Sequence, residues 1–358
     1  MFIEVVRTLR DRGLDVRIVI PQDGPLRGAL DELGMASEVV PFAVLRKATL
    51  TAARVPRFLI DLLRSTLAAR RTIRRWSPSI VYVSTIIAPQ WLVAGRQAGI
   101  PTICHVHELA NNLPRVLATA LYAQLCLATL TIANSEASRA FILELQPSLK
   151  ERALTIVNGL DLPQTSTARP QGVEKRILVV GRLGRHKGQD IALDAFAILR
   201  ARGWNAVLEL AGSVFPGNEW YEAELRARAL RLGVSEWVRF LGFRSDVKEL
   251  YAAADVVVVP SRTEPFGLVA IEAMAAERPV VASNVGGLAE IVRDGITGWS
   301  VVPEDAAGIA DAVDSILTDP DRAHEIARRA AMIARDRYSH ERFARALLTA
   351  FERCGTSR

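Results

Sequence analysis

Short apolar runs alternate with longer stretches of helical periodicity along nearly the whole chain, the pattern of βα units built around parallel sheets. The first half predicts strands at Val16–Ile20, Val39–Phe42, Ile80–Ser84, Thr102–His107, Leu130–Ala133 and Leu154–Val157. A polar, turn-rich passage, Pro163–Glu174 (PQTSTARPQGVE), has little to bury and reads as a linker. A second series of strands follows at Ile177–Gly181, Val207–Ala211, Val238–Leu241, Val256–Pro260, Val280–Ser283 and Trp299–Val302. The expected architecture is α/β: two doubly wound, Rossmann-like domains over residues 1–165 and 166–338, facing across a cleft. Ligands in such sheets bind beyond the carboxyl ends of the strands. Residues 339–358 are expected to form a helix that packs back on the first domain.

The opening of the chain breaks this pattern. Phe2, Val5, Val6 and Leu9 stand at helical spacing, so Met1 already belongs to an amphipathic helix that ends near Gly13. A doubly wound domain normally opens with a strand at the centre of its sheet. The expectation is a natural product that begins upstream of Met1. Without that strand, two inner strands would be left with unpaired backbone groups.

Composition narrows the class. A chain of 358 residues, half of them hydrophobic and 23% charged, is globular with sizeable cores. Aromatic residues at 6% are too sparse for a base-stacking platform, and no basic run is interleaved with them, which argues against nucleic acid as a partner. The net charge of +6 resides wholly in residues 1–168, largely in Arg46–Arg75, where nine basic residues meet one acid, Asp61. In that stretch Phe58, Leu59, Leu62, Leu63 and Leu67 form an apolar stripe among Arg57, Arg64, Arg70, Arg71, Arg74 and Arg75. It suits an anionic membrane surface, and equally a helix packed on its own sheet with a solvated basic face. Cys104, Cys126 and Cys354 are scattered and odd in number, which predicts a reducing compartment. With no membrane-length apolar run and no signal-peptide pattern, the reading is a cytoplasmic protein, with peripheral attachment at the inner face of the membrane as an option.

Two loops carry the sharpest chemistry. Glu264-Pro-Phe-Gly-Leu-Val-Ala-Ile-Glu272 follows a strand and enters a helix, placing two carboxylates eight positions apart across a Pro-Phe-Gly turn. Such carboxylates can accept hydrogen bonds from sugar hydroxyls, and the amides of Phe266, Gly267 and Leu268 at a helix start suit an anion. Taken alone, the same string is more often a helix cap beside a surface glutamate. Gly181-Arg182-Leu183-Gly184-Arg185-His186-Lys187-Gly188 also leaves a strand. It is neither a dinucleotide fingerprint nor a Walker A loop, yet it combines close-approach glycines with Arg182 and Lys187, a fork and a point charge for a pyrophosphate. A solvated basic turn explains that string equally well. A third turn, Asn284-Val285-Gly286-Gly287, could add backbone amides. In the first half, His105-Val-His107-Glu108 closes a strand with both histidines on one face, and no third residue completes a metal site. Asn134-Ser135 and Asn158-Gly159 read as turns or helix starts.

Together and in this order, these segments resemble the family-four glycosyltransferases (glycosyl transferases group 1), which have the GT-B fold. The resemblance spans nearly the whole chain. "EPFGLVAIEAMAAERPVVASNVGG" is similar to the family's donor-site signature and "GRLGRHKG" to its diphosphate loop, while "HVHE", "ANSE" and "VNGLD" match landmarks of its first domain. The resemblance implies a retaining, metal-independent transferase that needs no cofactor beyond a nucleotide-diphosphate sugar as donor. The acceptor would be a glycan, a lipid-linked molecule or a small molecule. Arg182 and Lys187, with Gly181 beside them, would neutralise the donor diphosphate; Glu264 would hold the transferred sugar and Glu272 the ribose hydroxyls. The amides of Phe266, Gly267 and Leu268 would cradle phosphate and sugar, His107 would contact the sugar near the reacting carbon, and Phe243–Asp246 would border the base. Family members also open with a strand and a Gly-rich loop that are absent before the Met1–Gly13 helix, a stretch of roughly twenty residues. That departure keeps open a second reading, a catalytically inactive glycosyltransferase-like binding subunit, against which the intact Arg182, Lys187, Glu264 and Glu272 argue. A sugar-nucleotide epimerase or glycan phosphorylase of similar fold would not combine these motifs.

Overall fold

The structure is a computed structural model that describes residues 1–44, 55–110, 113–162, 172 and 174–356. Most of the Pro163–Glu174 linker reading and the Arg46–Arg54 part of the basic stretch lie outside the described residues. The chain divides into two compact units, one of Met1–Leu160 with His340–Arg358 and the other of Asp161–Ser339.

In the first unit the strands are β1 (Ile18–Ile20), β2 (Ser37–Val39), β3 (Val81–Val83), β4 (Thr102–Val106), β5 (Leu130–Ala133) and β6 (Ala153–Thr155). All pairings are parallel, in a four-stranded sheet β3-β4-β5-β6 and a separate two-stranded sheet β1-β2. Every residue of β4 and β5 is buried, because helices cover both faces. Alternation sorts the side chains. Cys104 and Val106 join Ala69, Ile73 and Leu92 from α3 (Val55–Trp76) and α4 (Pro89–Gln97). Ile103, Leu130 and Ile132 join Val5 and Leu9 of α1 (Phe2–Asp11) with Phe343, Leu347 and Ala350 of the last helix, His340–Thr356. That last helix reaches this layer because Phe343, Leu347, Ala350 and Cys354 recur at the i, i+4, i+7 spacing of one helix face.

The second unit holds six parallel strands, β7 (Lys175–Val180), β8 (Ala206–Ala211), β9 (Val238–Gly242), β10 (Val256–Val259), β11 (Val280–Ser283) and β12 (Trp299–Val301), in the order β12-β11-β10-β7-β8-β9. The chain lays down β7, β8 and β9 in one direction and then returns to add β10 on the other side of β7. The reversal falls between β7 and β10, the place in such a sheet where ligands bind beyond the carboxyl ends of the strands. The core is continuous from Ile177 and Val179 through Leu208 and Leu210 to Val256, Val258 and Val281, with Phe196 and Val313 from the covering helices. All twelve expected strands are present, most with ends shifted by one or two residues; β2 lies earlier than its Val39–Phe42 reading.

Candidate functional site

The loops after β7 and β10 are neighbours because their strands pair directly, with Val256 opposite Ile177. The β7 loop tightens into a single 3-10 turn, Arg185–Lys187, and ends at Gly188, which opens the helix α7 (Gln189–Ala201). Gly188 has φ +71, and a Cβ there would lie 1.9 Å from the Pro260 carbonyl oxygen, so only glycine lets the two loops touch. The contact delivers Lys187 to the β10 loop, where its Nζ lies 2.7 Å from Glu264 Oε2. Glu264 is 9% exposed, and Ser261 Oγ donates to the same oxygen at 3.4 Å. Two residues 77 positions apart are thus joined at the switch point of the sheet.

The remaining expected residues distribute unevenly. Gly267 is the N-cap of α10 (Leu268–Ala275), with no side chain capping it; the Ala270 and Ile271 amides donate to its carbonyl at 3.0 and 3.3 Å, and those of Leu268 and Val269 lie ahead of the intrahelical ladder. A Cβ on Gly286, in the turn after β11, would lie 2.1 Å from the Glu264 carbonyl oxygen, so this turn packs directly against the Glu264 backbone. The Phe266 ring points away, buried edge-on against Tyr338 at 5.8 Å, and offers its backbone alone. Glu272 is raised above the usual carboxylate range, first by burial, and accepts a hydrogen bond from Tyr251 Oη at 2.8 Å. Gly181 leads Arg182 out of β7; the guanidinium is exposed and rests 5.2 Å from the centroid of Phe215, a partner from the β8 loop. His186 is lowered by burial first and then by Lys187, with Arg182 also in range. Phe243 is 81% exposed on the loop after the edge strand β9, two strands along the sheet from β7.

His107 lies in the first unit, one residue beyond β4, its ring tilted over His105 at 4.1 Å. It is lowered to about 4, first by burial and then by the nearby amino terminus, so it is neutral at physiological pH. His105 is fully buried and hydrogen-bonded to Tyr82 Oη at 2.6 Å. Glu108 turns to the other side and accepts from Thr85 Oγ1 at 2.5 Å and from the Ile86 amide at 3.5 Å. Asn134 and Ser135 are the start of a helix: Ser135 Oγ caps it through the Ser138 amide at 3.0 Å, and Ser138 Oγ donates to Asn134.

Reading the sequence missed four contributors to this arrangement: Phe215 beneath Arg182, Tyr251 on Glu272, Ser261 on Glu264, and the Asp190–Arg262 pair that braces the β7 loop. Ser261 and Arg262 were the more accessible, since both stand within three residues of Glu264. Phe215 and Tyr251 carry no local signal.

Comparison with known proteins bears on the family and the fold. The family model described as Glycosyltransferase Family 4 matches residues 1–164, and that described as Glycosyl transferases group 1 matches residues 167–332. A D-inositol 3-phosphate glycosyltransferase of Actinosynnema mirum is 33% identical over 288 residues, covering 73% of this chain and 68% of that protein. The glycogen synthase of Mycobacterium tuberculosis is 40% identical over 189 residues, 51% of this chain and 44% of its own length. The chain spans about half the length of several of these relatives, 46% of an uncharacterized glycosyltransferase of Methanocaldococcus jannaschii among them. Among solved structures, Anabaena HepE in complex with UDP-glucose superposes with a TM-score of 0.84 at 26% identity, covering 98% of this chain and 94% of that one. The fold is GT-B, and the chain belongs to the group 1, family 4 glycosyltransferases.

Proposed function

We propose that this chain transfers a hexosyl unit from a nucleoside-diphosphate sugar to a hydroxyl of a glycan, lipid-linked or small-molecule acceptor, with retention at the anomeric carbon. The observation that carries the reading is the Lys187–Glu264 pair at the switch point of the six-stranded sheet, 2.7 Å apart. A diphosphate arriving there brings more negative charge than Glu264 and competes for Lys187, freeing the carboxylate to accept hydrogen bonds from the sugar. Arg182 and the first-turn amides of α10 add positive potential for the leaving diphosphate. Glu272, held by Tyr251, keeps one oxygen for ribose hydroxyls. His107 enters the proposal through the resemblance of its segment alone, and transfer by His107→Ala tests it.

The step breaks the bond between the anomeric carbon and the β-phosphate oxygen. It forms a bond from the acceptor oxygen on the same face, and the acceptor proton passes to the departing phosphate. No protein nucleophile is required, so the chain's work is positioning and charge stabilisation. With cationic side chains and amides meeting the diphosphate, no metal ion is needed. Because HepE is seen with UDP and UDP-glucose, a uridine nucleotide is the first donor to try. A thermal-shift screen of nucleotide sugars should raise the melting temperature with the true donor. Transfer from that donor should then persist in EDTA, with the product's anomeric configuration matching the donor's by NMR. Inversion, or no stabilisation by any nucleotide sugar, would overturn the reading.

We further propose attachment to an anionic membrane at the cytoplasmic face. Ile60, Leu63 and Leu67 of α3 are 49, 68 and 53% exposed, beside exposed Arg57, Arg64, Arg71 and Arg74. No described helix is long and apolar enough to cross a membrane. Cosedimentation with vesicles containing phosphatidylserine should be lost on Leu63→Glu; absence of wild-type binding at low salt rejects the proposal.

A further inference from the structure

The β7 loop is anchored at its start, where the Leu183 amide donates to the Ser213 carbonyl at 3.1 Å. There the buried Gln189 side chain also donates to the Arg182 carbonyl at 3.0 Å and accepts from the Gly184 amide at 3.3 Å. The turn that carries Lys187, however, has little internal support. This 3-10 turn spans three residues, with the Lys187 amide donating to Gly184 at 2.8 Å and the Gly188 amide to Arg185 at 3.3 Å. Turns of this type have poor internal hydrogen-bond geometry. Lysine adds a long side chain with many rotamers. Something outside the loop must set where Lys187 stands.

Arg262, two residues before Glu264, meets that need. Its Nη1 and Nη2 fork onto Asp190 Oδ1 and Oδ2 at 2.8 and 2.7 Å, and Nη1 also donates to the Arg185 carbonyl at 2.7 Å. Its Nε donates to Glu304 Oε1 at 2.6 Å. Asp190 lies in the first turn of α7 and is further fixed by Tyr221 Oη at 3.1 Å. The guanidinium therefore pins the loop on both sides of Lys187, at Arg185 before it and Asp190 after it. The backbone repeats the tie, with the amides of Arg262 and Thr263 reaching the His186 carbonyl at 2.8 and 3.4 Å. On the far side, Glu304 adopts φ 65, a left-handed conformation that non-glycine residues rarely take and that persists when surrounding contacts enforce it. Asp190 is held below the usual carboxylate range by Arg262, against the opposing effect of its burial.

We propose that Arg262 is a positioning residue for the donor site, locking the Gly184–Gly188 loop to the Ser261–Glu264 loop so that Lys187 and Glu264 stand where the diphosphate and sugar meet. This rests on the donor-site reading above. A lysine at the position keeps the charge and loses the fork, because its ammonium cannot span a carboxylate, a carbonyl and a second carboxylate in one plane.

The test compares wild type with Arg262→Lys and Arg262→Gln in the full chain, by hydrogen exchange and by calorimetric titration with UDP. The expected result is faster exchange across residues 184–188 in both variants, with UDP affinity reduced on the order of tenfold. Uridine, which lacks the diphosphate, should bind the variants as it binds wild type, a split that general destabilisation does not produce. Unchanged exchange in 184–188, or equal losses for UDP and uridine, overturns the proposal. Should Arg262→Gln fail to fold, Arg262→Lys and Asp190→Asn carry the same comparison. If wild type binds no UDP, the nucleoside diphosphate and nucleoside of the donor found by thermal shift replace UDP and uridine. A wild type that binds no nucleoside diphosphate while exchange in 184–188 still responds to Arg262 would overturn the donor reading and leave the clamp itself demonstrated.

Discussion

Replacing Lys187 by alanine perturbs stability and turnover by separable amounts. The side chains of Lys187 and Glu264 are 25 and 11% exposed, which places the pair between a solvated ion pair and a buried one. Solvated pairs contribute about 0–1 kcal/mol, whereas breaking a buried pair costs about 3–5 kcal/mol by orphaning a charge. An intermediate loss of about 2 kcal/mol follows, or roughly 6 °C in melting temperature for a unit of this size. Turnover should fall further. Removing a charged contact to a developing diphosphate forfeits about 3 kcal/mol, on the order of a hundredfold in rate. The double variant Lys187→Ala/Glu264→Gln separates the two effects. Its carboxylate is gone, so stability should recover much of the loss. Turnover should stay low, because both positions face the donor. The assay is donor turnover by coupled nucleoside-diphosphate release, with melting followed by circular dichroism. Near-normal turnover by Lys187→Ala, or recovery of turnover in the double variant, would refute the assignment of these residues to the donor site.

Two further outcomes are expected. Because His107 is lowered from 6.5 to about 4 in the folded state, the unfolded chain binds the extra proton between those values. Its stabilising contribution is therefore complete above about pH 6.5 and falls by about 3 kcal/mol as pH drops toward 4. His105 is lowered in the same direction. Denaturant midpoints of His107→Gln should decline less steeply than wild type across that window, and parallel curves would contradict this. Gly188→Ala must fit a Cβ 1.9 Å from the Pro260 oxygen at φ +71, costing about 3 kcal/mol from left-handed strain and a forced loop shift. A urea midpoint matching wild type would show that the loops do not pack as described.

Much of the framework was legible in the chain itself. Strand positions follow from apolar runs, a local property, and Leu130–Ala133 and Val280–Ser283 were delimited to the residue. The resemblance of GRLGRHKG and EPFGLVAIE pointed to the two loops that the structure brings together. Exposure was less legible: in the stripe of α3, Leu63 and Leu67 do face outward, but their companion is Ile60, and the side chain of Leu59 lies outside the described residues.

What periodicity cannot supply is the order of strands, because alternation encodes which face of a strand is buried and not which strand lies beside it. Only the tertiary structure set β10 against β7, and with that single pairing came the contact of Gly188 with Pro260 and the ion pair of Lys187 with Glu264. The bracing of the site is non-local for the same reason. Arg262 reaches Asp190, 72 positions away, and Tyr251 reaches Glu272 from another element, through side chains whose identity alone suggests a solvated arginine and an ordinary core tyrosine. Residue types and local spacing determine what each loop could do chemically; the path of the chain through the sheet determines which of them meet.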